Sequence, residues 1–303
     1  MEYVLKTNAL YKTYSTFHAL NGVTMNVPKG SIYGFVGKNG AGKTTLIRLI
    51  CGLQYPTSGD FMLYGTKHSD GAITKVRHRM SAVVETPSFY GDMNASDNIK
   101  MQYTILGLSS YDGIDDLLKL VRLDDTGKKK AKHFSLGMKQ RLGIAMALCG
   151  NPEFLILDEP TNGLDPQGIV EIRELILRLN QERQITVLIS SHILDELSKL
   201  ATHYGFIDKG KIVKEMSSDE LDAACQKWVR LSVTDTTVLA GVLDNMKFEY
   251  KVIDNVECDI YAKPNITELA LALAKESCEI LSVQEKNESL ESFFLSLVGD
   301  EER

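Results

Sequence analysis

Residues 37–45 are Gly-Lys-Asn-Gly-Ala-Gly-Lys-Thr-Thr, and this stretch decides the fold of the chain. It fits the pattern G-x-x-x-x-G-K-[ST], in which glycines let the backbone turn tightly enough for several N–H groups to point at one phosphate chain. Lys43 is expected to reach the β- and γ-phosphates, and the Thr44 hydroxyl to ligate Mg²⁺. The predicted nucleotide-binding residues of the loop are Gly37, Lys38, Asn39, Gly40, Ala41, Gly42, Lys43, Thr44 and Thr45.

The residues on either side of this loop predict a strand before it and a helix after it. Residues 31–36 (SIYGFV) form a short β-like run, and residues 45–51 (TLIRLIC) have a helical pattern. The phosphates would therefore lie at a helix N-terminus, which favours anions. The alternative is a glycine-rich turn that binds nothing, and the two flanks disfavour it.

Composition and charge narrow the class of protein. The chain has 303 residues, of which 44% are hydrophobic and 24% charged, as is ordinary for a soluble globular protein. Its net charge of −6 argues against bulk nucleic-acid binding, so no nucleic-acid partner is expected. The five cysteines show no C-x-x-C spacing, which favours free thiols over disulfides or a metal site. No apolar run is long enough for a membrane span and no signal peptide is evident, so a cytoplasmic chain is expected.

The order of predicted elements indicates an α/β protein with a second, smaller domain. A mainly helical insert at about 90–150 is followed by alternating strands and helices, which implies a largely parallel sheet covered by helices. Beyond about residue 226 the predicted order is β-α-β-β-α-β plus a last helix, the split βαβ or ferredoxin-like pattern. We therefore expect a nucleotide-binding domain over 1–225 and an accessory α/β domain over 226–303.

An apolar run that ends in two acids supplies the next candidates. Residues 154–160 are FLILDEP, and a buried strand would deliver Asp158 to the ligand-binding edge of the sheet. There Asp158 can hold Mg²⁺, and Glu159 can polarise the water that attacks the γ-phosphate. The alternative is a strand that ends in a surface turn, and the neighbouring phosphate loop disfavours it.

Three further segments carry a resemblance to a known family. Residues 134–141 (FSLGMKQR) look like the signature motif, usually L-S-G-G-Q, of ATP-binding cassette (ABC) ATPases. Ser135 and Gly137 match that motif, while the other signature positions depart from it. Gly163-Leu-Asp165 resembles the D-loop of the family, and Ser190-Ser-His192 resembles its switch histidine. The resemblance covers about residues 3–225 and implies a P-loop ABC nucleotide-binding domain.

The resemblance implies roles for individual residues. Tyr14 matches the aromatic residue that stacks on adenine, and Phe17 is the second choice for this role. The alternative is that Tyr14 is only a structural residue in the core or at a sheet edge. Ser135 and Gly137 would address the γ-phosphate of ATP held by a second subunit, so two copies would close head to tail. Asp165 would lie in that interface, and His192 would hydrogen-bond the γ-phosphate or the attacking water.

One position departs from the family in an informative way. The resemblance implies a glutamine that touches Mg²⁺ where this chain has Glu85. A carboxylate can still bind Mg²⁺, so Thr44, Glu85 and Asp158 are the expected metal ligands, unless a neighbour takes the role of Glu85. Residues 85–90 (ETPSFY) together with the signature also resemble a bacterial subgroup that powers export of, or immunity to, peptide antibiotics of the bacitracin and lantibiotic kinds.

The function implied is ATP hydrolysis, dependent on Mg²⁺, that powers a membrane transporter. Lys43, Glu159 and His192 would form the catalytic set. The resemblance implies two partners, a membrane permease and a second nucleotide-binding subunit that is expected to be an identical copy. The permease would place the chain on the inner face of the membrane. Two alternatives stay open: an ABC ATPase that acts on ribosomes or DNA, and a regulatory module that no longer hydrolyses ATP.

Overall fold

The computed structural model describes residues 2–225, 227–287 and 289–299, which form two compact units that divide between Ser218 and Asp219. The strands of the first unit are β1 Tyr3–Tyr14, β2 Phe17–Pro28, β3 Ile32–Val36, β4 Ser58–Leu63, β5 Thr66–Lys67, β6 Met80–Val83, β7 Phe154–Asp158, β8 Thr186–Ser191, β9 His203–Asp208 and β10 Lys211–Ser217. Its helices are α1 Lys43–Ile50, α2 Ile73–Arg77, α3 Ala95–Ile105, α4 Ile114–Leu120, α5 Leu136–Leu148, α6 Pro166–Arg183 and α7 Leu194–Leu197.

The central sheet of the first unit has six strands in the order β10-β9-β3-β8-β7-β6. All neighbouring strands are parallel except β10, which pairs with β9 in the antiparallel sense. Every residue of β3, β7 and β8 is buried, as expected for parallel strands that are covered on both faces. The carboxyl ends of these three strands lie at one edge, and there they place the phosphate loop, Asp158 and the serines before His192.

A second, antiparallel sheet of the first unit has the order β2-β1-β4-β5. Apolar residues of β1 and β2, including Leu5, Leu10 and Met25, pack with α1 in one buried cluster. The β1–β2 hairpin ends at the pair Tyr14 and Phe17, which lie opposite each other in the register. The hairpin therefore carries the predicted adenine-stacking residue at its tip.

The helical insert consists mainly of α3, α4 and α5, as the sequence predicts. The sequence pattern predicts a helix over residues 111–123, but α4 is shorter, because Gly113 and Arg122 have the left-handed backbone that starts and ends it. The pattern also predicts a helix over residues 193–201, of which only α7 forms, and it does not predict the short helix α2. Sequence patterning thus located the longer helices and misjudged the boundaries of the short ones.

The second unit begins with α8 Ser218–Ala224 at the division and contains four strands. Its further elements are β11 Lys227–Val233, α9 Thr236–Met246, β12 Tyr250–Val252, β13 Glu257–Ile260, α10 Ile266–Lys275, β14 Ile280–Asn287 and α11 Leu290–Gly299. The strands pair in the antiparallel sense in the order β12-β13-β11-β14, which is the ferredoxin-like arrangement. Leu231, Leu239 and Leu269 belong to a separate core in this unit. The predicted α/β class of both parts is confirmed.

The cysteine thiols and the apolar character of the helices complete the description of the fold. All five cysteines are free thiols, and burial raises the pKa of Cys51 and of Cys149 to about 12. Within the described ranges, none of the helices combines the length and the apolar character that crossing a bilayer requires.

Candidate functional site

The phosphate loop leaves β3 and enters α1 through two glycines that no larger residue could replace. A Cβ atom at Gly37 would lie 2.5 Å from the carbonyl oxygen of Ile207, and one at Gly42 would lie 2.5 Å from that of Ala19. Gly42 also has φ of 109°, a conformation that side-chain-bearing residues rarely adopt. The loop is therefore shaped by close contact with neighbouring backbone, and it presents its exposed residues 38–40 to solvent.

Lys43 is buried at the start of α1 with its ammonium group folded over the loop. The Lys43 Nζ donates to the carbonyl oxygen of Gly37 at 2.6 Å and lies 3.1 Å from Glu159 Oε1. Only 5% of the Lys43 surface is exposed, and a charge buried to that degree needs partners of this kind. The ammonium group thus stands between the loop that would hold phosphates and the carboxylate predicted to act on water.

Thr44 and Asp158, two of the three predicted metal ligands, are in contact. The Thr44 hydroxyl donates to Asp158 Oδ2 at 2.8 Å, and the Ser190 hydroxyl donates to Asp158 Oδ1 at 2.5 Å. Asp158 is only 1% exposed, so both carboxylate oxygens are held in place at the end of β7.

This pair of oxygen ligands suits one metal ion in particular. Among the described residues there is no group of three or more His, Cys, Asp or Glu that could hold a metal ion. Mg²⁺ usually takes one or two protein oxygens and completes its octahedron with water and substrate phosphates. A hydroxyl and a single carboxylate beside a phosphate loop fit that requirement.

Glu159 brings the three predicted catalytic residues together. Its carboxylate contacts Lys43 through Oε1, and its Oε2 lies 2.5 Å from Nδ1 of His192. Glu159 has φ of 50°, and its N–H donates to the backbone oxygen and the hydroxyl oxygen of Ser190 at 3.1 and 3.0 Å. Such a backbone costs on the order of 1–3 kcal/mol, so the hydrogen bonds of Ser190 help to stabilise it.

Glu85, the third predicted metal ligand, forms an ion pair with Arg48. It has φ of 60°, its side chain is 58% exposed, and its Oε1 pairs with Arg48 Nη2 at 2.6 Å. Arg48 belongs to the last turn of α1, whereas Thr44 belongs to the first. In the described part of the chain, Glu85 is therefore joined to Arg48 and not to Thr44 or Asp158.

Tyr14 presents a partly open ring at the tip of the β1–β2 hairpin. The ring is 40% exposed, its hydroxyl donates to the side-chain oxygen of Gln54, and the Lys12 ammonium lies 5.1 Å from the ring centroid. Phe17, across the hairpin, is more exposed than Tyr14 and stays the second choice for stacking. No motif in the sequence indicates Gln54 as a partner of Tyr14, whereas Lys12 lies two residues before Tyr14 on the same strand.

Ser135, Gly137 and Asp165 lie at the starts of two helices, α5 and α6. The Ser135 hydroxyl caps α5 by accepting from the N–H of Met138 at 3.2 Å, and Asp165 caps α6 by accepting from the N–H of Gly168 at 2.9 Å. The two helix starts are adjacent, since a Cβ atom at Gly137 would lie 3.9 Å from Leu164. Ser135 and Asp165 are exposed and Gly137 is half-buried, so this surface is open to a partner.

Ser190 is the functional residue that sequence reasoning missed. It was noted only as part of the segment before His192, yet it bonds both Asp158 and Glu159. The available signal was a pair of serines at the end of an otherwise apolar strand, where a buried hydroxyl needs a polar partner.

Comparison with known proteins agrees with this geometry. A family model described as "ABC transporter" matches residues 20–162. The bacitracin transport ATP-binding protein BcrA of Bacillus licheniformis is 39% identical over 303 residues, covering 99% of this chain and 98% of that protein. The lantibiotic transport ATP-binding protein SrtF of Streptococcus pyogenes is 45% identical over 216 residues, covering 71% of this chain and 92% of that protein.

Solved structures give the same answer for the fold. A dimeric ATP-binding cassette in a post-hydrolysis state, bound to ADP and phosphate, superposes with a TM-score of 0.63 at 25% identity, covering 71% of this chain and 98% of that one. The CbiO1 protein of Clostridium perfringens, described as part of an ABC transporter complex, gives a TM-score of 0.66 at 27% identity, covering 82% and 97% of the two chains.

Proposed function

Because the chain belongs to the family of ABC transporter ATP-binding proteins, we propose that it hydrolyses ATP with Mg²⁺ to drive export of, or immunity to, an antimicrobial peptide. The ATPase class follows from the family. The peptide substrate is supported by relatives whose names refer to bacitracin and lantibiotic transport. The chain would lie on the inner face of the membrane, where it binds a permease subunit.

One observation carries the catalytic part of the proposal, namely the Glu159 carboxylate held between Lys43 and His192 beside the Thr44–Asp158 pair. Glu159 would accept a proton from the attacking water, and His192 would hold that water or the γ-phosphate in position. Lys43 would leave its contacts with Gly37 and Glu159 and bind phosphate oxygens instead. Bound between Thr44 and Asp158, Mg²⁺ would neutralise charge on the phosphates.

We keep Glu85 as the third metal ligand within this proposal. It would have to leave Arg48, and an exposed ion pair contributes only about 0–1 kcal/mol, so that change costs little. The exchange would connect the metal site to the segment 85–90, where a permease would dock. The alternative is that Glu85 stays on Arg48 and a neighbouring group or water completes the coordination of the metal.

A second copy of the chain completes the proposed ATP site. Ser135 and Asp165 are exposed, Gly137 is half-buried, and the two helix starts are adjacent, as required of residues that reach a nucleotide held by a partner. The helix start at Ser135 would bind the γ-phosphate, and Tyr14 of the first copy would stack on adenine. We propose that this work belongs to residues 1–225, with 226–303 as an accessory domain.

The test combines turnover with partner capture. Tagged Glu159→Gln protein should bind ATP and form a dimer, yet hydrolyse ATP at least about a hundredfold more slowly, since removing a general base costs this much. Capture from detergent-solubilised cells with ATP should recover a polytopic membrane protein in near-stoichiometric amount, identified by mass spectrometry. Lys43→Ala, which should bind ATP poorly, serves as the control for capture that depends on nucleotide.

The outcomes separate the parts of the proposal. Near-normal turnover by Glu159→Gln would remove this residue from its catalytic role. Recovery of ribosomes or DNA-bound proteins without a membrane partner would refute the transporter function while leaving the ATPase intact. If a permease is recovered but antimicrobial peptides of the bacitracin and lantibiotic kinds do not change the rate of ATP hydrolysis, only the proposed substrate class would be refuted.

A further inference from the structure

A pocket of about 390 Å³ opens in the second unit, within the usual range of small-molecule sites. Its lining includes Lys227 and Trp228 at the start of β11, Lys263 after β13, and Glu285 and Lys286 on β14. The lining thus includes three lysines, one glutamate and a tryptophan.

The lysines of this pocket are not neutralised by the acids of the neighbouring strand. Two of those acids are bound by Arg230, with Asp259 at 2.7 and 2.8 Å and Glu257 at 3.4 Å. Over residues 227–287, no ion pair involves Lys227, Lys263 or Lys286. A concave site with unneutralised lysines attracts an anion, because the low-dielectric wall strengthens the interaction.

Trp228 supplies an apolar wall to the same pocket. It lies directly opposite Lys286 in the β11–β14 register, so the two side chains share one sheet face. The Tyr261 ring lies 6.4 Å from the indole, and the indole Nε1 is buried without a hydrogen-bond partner among the described residues. A buried donor of this kind costs about 1–3 kcal/mol, which makes this one of the few incompletely satisfied sites described in the chain.

We propose that this pocket binds an organic anion whose carboxylate, sulfonate or phosphate group pairs with the lysines while a flat or apolar part lies against Trp228. The described residues that line it belong to the second unit, and none of them belongs to the predicted ATP site. The second unit is therefore a ligand-binding module in addition to the ATPase.

The only tryptophan of the chain gives a direct assay, because Trp228 is the sole source of tryptophan emission. The probe is 1-anilinonaphthalene-8-sulfonate, an aromatic anion that accepts energy from tryptophan, added to the full-length protein. We expect saturable, one-to-one energy transfer from Trp228. Hexyl phosphate should displace the probe at lower concentration than inorganic phosphate, because it has an apolar part. Equal competition by the two phosphates would contradict the apolar contact.

Lysine variants test the charge. Lys263→Gln and Lys286→Gln should each raise the Kd of the probe about fivefold, the effect of one partly exposed charge. Lys275→Gln on α10, an exposed lysine outside the pocket, is the matched control and should stay within about twofold of the parent protein. Circular dichroism of each variant checks that the fold is retained. Non-saturable transfer, or pocket variants that match the control, would overturn the proposal.

A lipid headgroup offers the same chemistry as a soluble organic anion, and vesicles distinguish the two sources. Co-sedimentation with phosphatidylglycerol vesicles but not phosphatidylcholine vesicles, weakened by Lys263→Gln, would identify a headgroup as the ligand. Displacement of the probe by hexyl phosphate without any vesicle binding would identify a soluble anion.

Discussion

Replacing Ser190 by alanine should lower the free energy of unfolding and kcat more than replacing Ser191, the other buried serine at the end of the same strand. Its hydroxyl donates to the buried carboxylate of Asp158 at 2.5 Å and accepts from the N–H of Glu159 at 3.0 Å. A hydrogen bond to a charged group contributes about 1.5–3 kcal/mol, while the N–H of Glu159 keeps the backbone oxygen of Ser190 as a partner. We therefore expect a loss of about 2 kcal/mol in the free energy of unfolding.

The same loss should appear in catalysis, since Ser190 orients both Asp158 and Glu159. A loss of about 2 kcal/mol in the transition state corresponds to roughly a thirtyfold lower kcat. Urea denaturation followed by circular dichroism measures the first quantity, and release of phosphate from MgATP measures the second. Ser191→Ala is the matched control, because Ser191 is a buried serine on the same strand whose hydroxyl bonds only neutral backbone groups of Ile193.

The control should lose less, about 1 kcal/mol, because both hydrogen bonds of the Ser191 hydroxyl are to neutral groups and the one to the Ile193 carbonyl is long, at 3.3 Å. If Ser190→Ala and Ser191→Ala destabilised the protein equally, the buried carboxylate would not depend on this hydroxyl. If Ser190→Ala lost stability but kept full turnover, Ser190 would support the fold and not the geometry of the site. Either result would refute the reasoning at an identifiable step.

Three further predictions follow from particular contacts. Glu85→Gln should retain substantial ATPase activity, because an amide oxygen can still ligate Mg²⁺; total loss of phosphate release would mean that the carboxylate charge is required. Gly42→Ala should lose most ATP binding by calorimetry, since its Cβ would lie 2.5 Å from the carbonyl oxygen of Ala19. Gly40→Ala has the same kind of backbone strain, at a φ of 82°, but its Cβ would face open space, so it should bind ATP more tightly than Gly42→Ala does. Burial raises the thiol pKa of Cys51 and of Cys149 to about 12, so both thiols should stay protonated and resist alkylation by iodoacetamide at about pH 8. Peptide mass spectrometry measures the modification. Rapid modification of either cysteine in the native protein would contradict the described burial.

The linear pattern of the chain is enough to predict a nucleotide site. The spacing of Gly37, Gly42 and Lys43 needs no tertiary information, because a phosphate loop is a contiguous backbone structure whose glycines are dictated by local geometry. Asp158 could be placed beside it from sequence, because the carboxyl ends of parallel strands converge on one edge of the sheet. The short helix α2 escaped prediction, because so few residues have too little periodicity to be recognised.

The partners of side chains across the sheet were decided only by the tertiary structure. Ser190 lies 32 residues from Asp158 in sequence, and only the β7–β8 pairing brings its hydroxyl to the carboxylate. Glu85 pairs with Arg48 for the same kind of reason, although the sequence predicted a metal contact. Which of several polar groups an acid contacts depends on distances of a few tenths of an ångström. Those distances are determined by how strands and helices pack, and a linear pattern of residue types does not contain them.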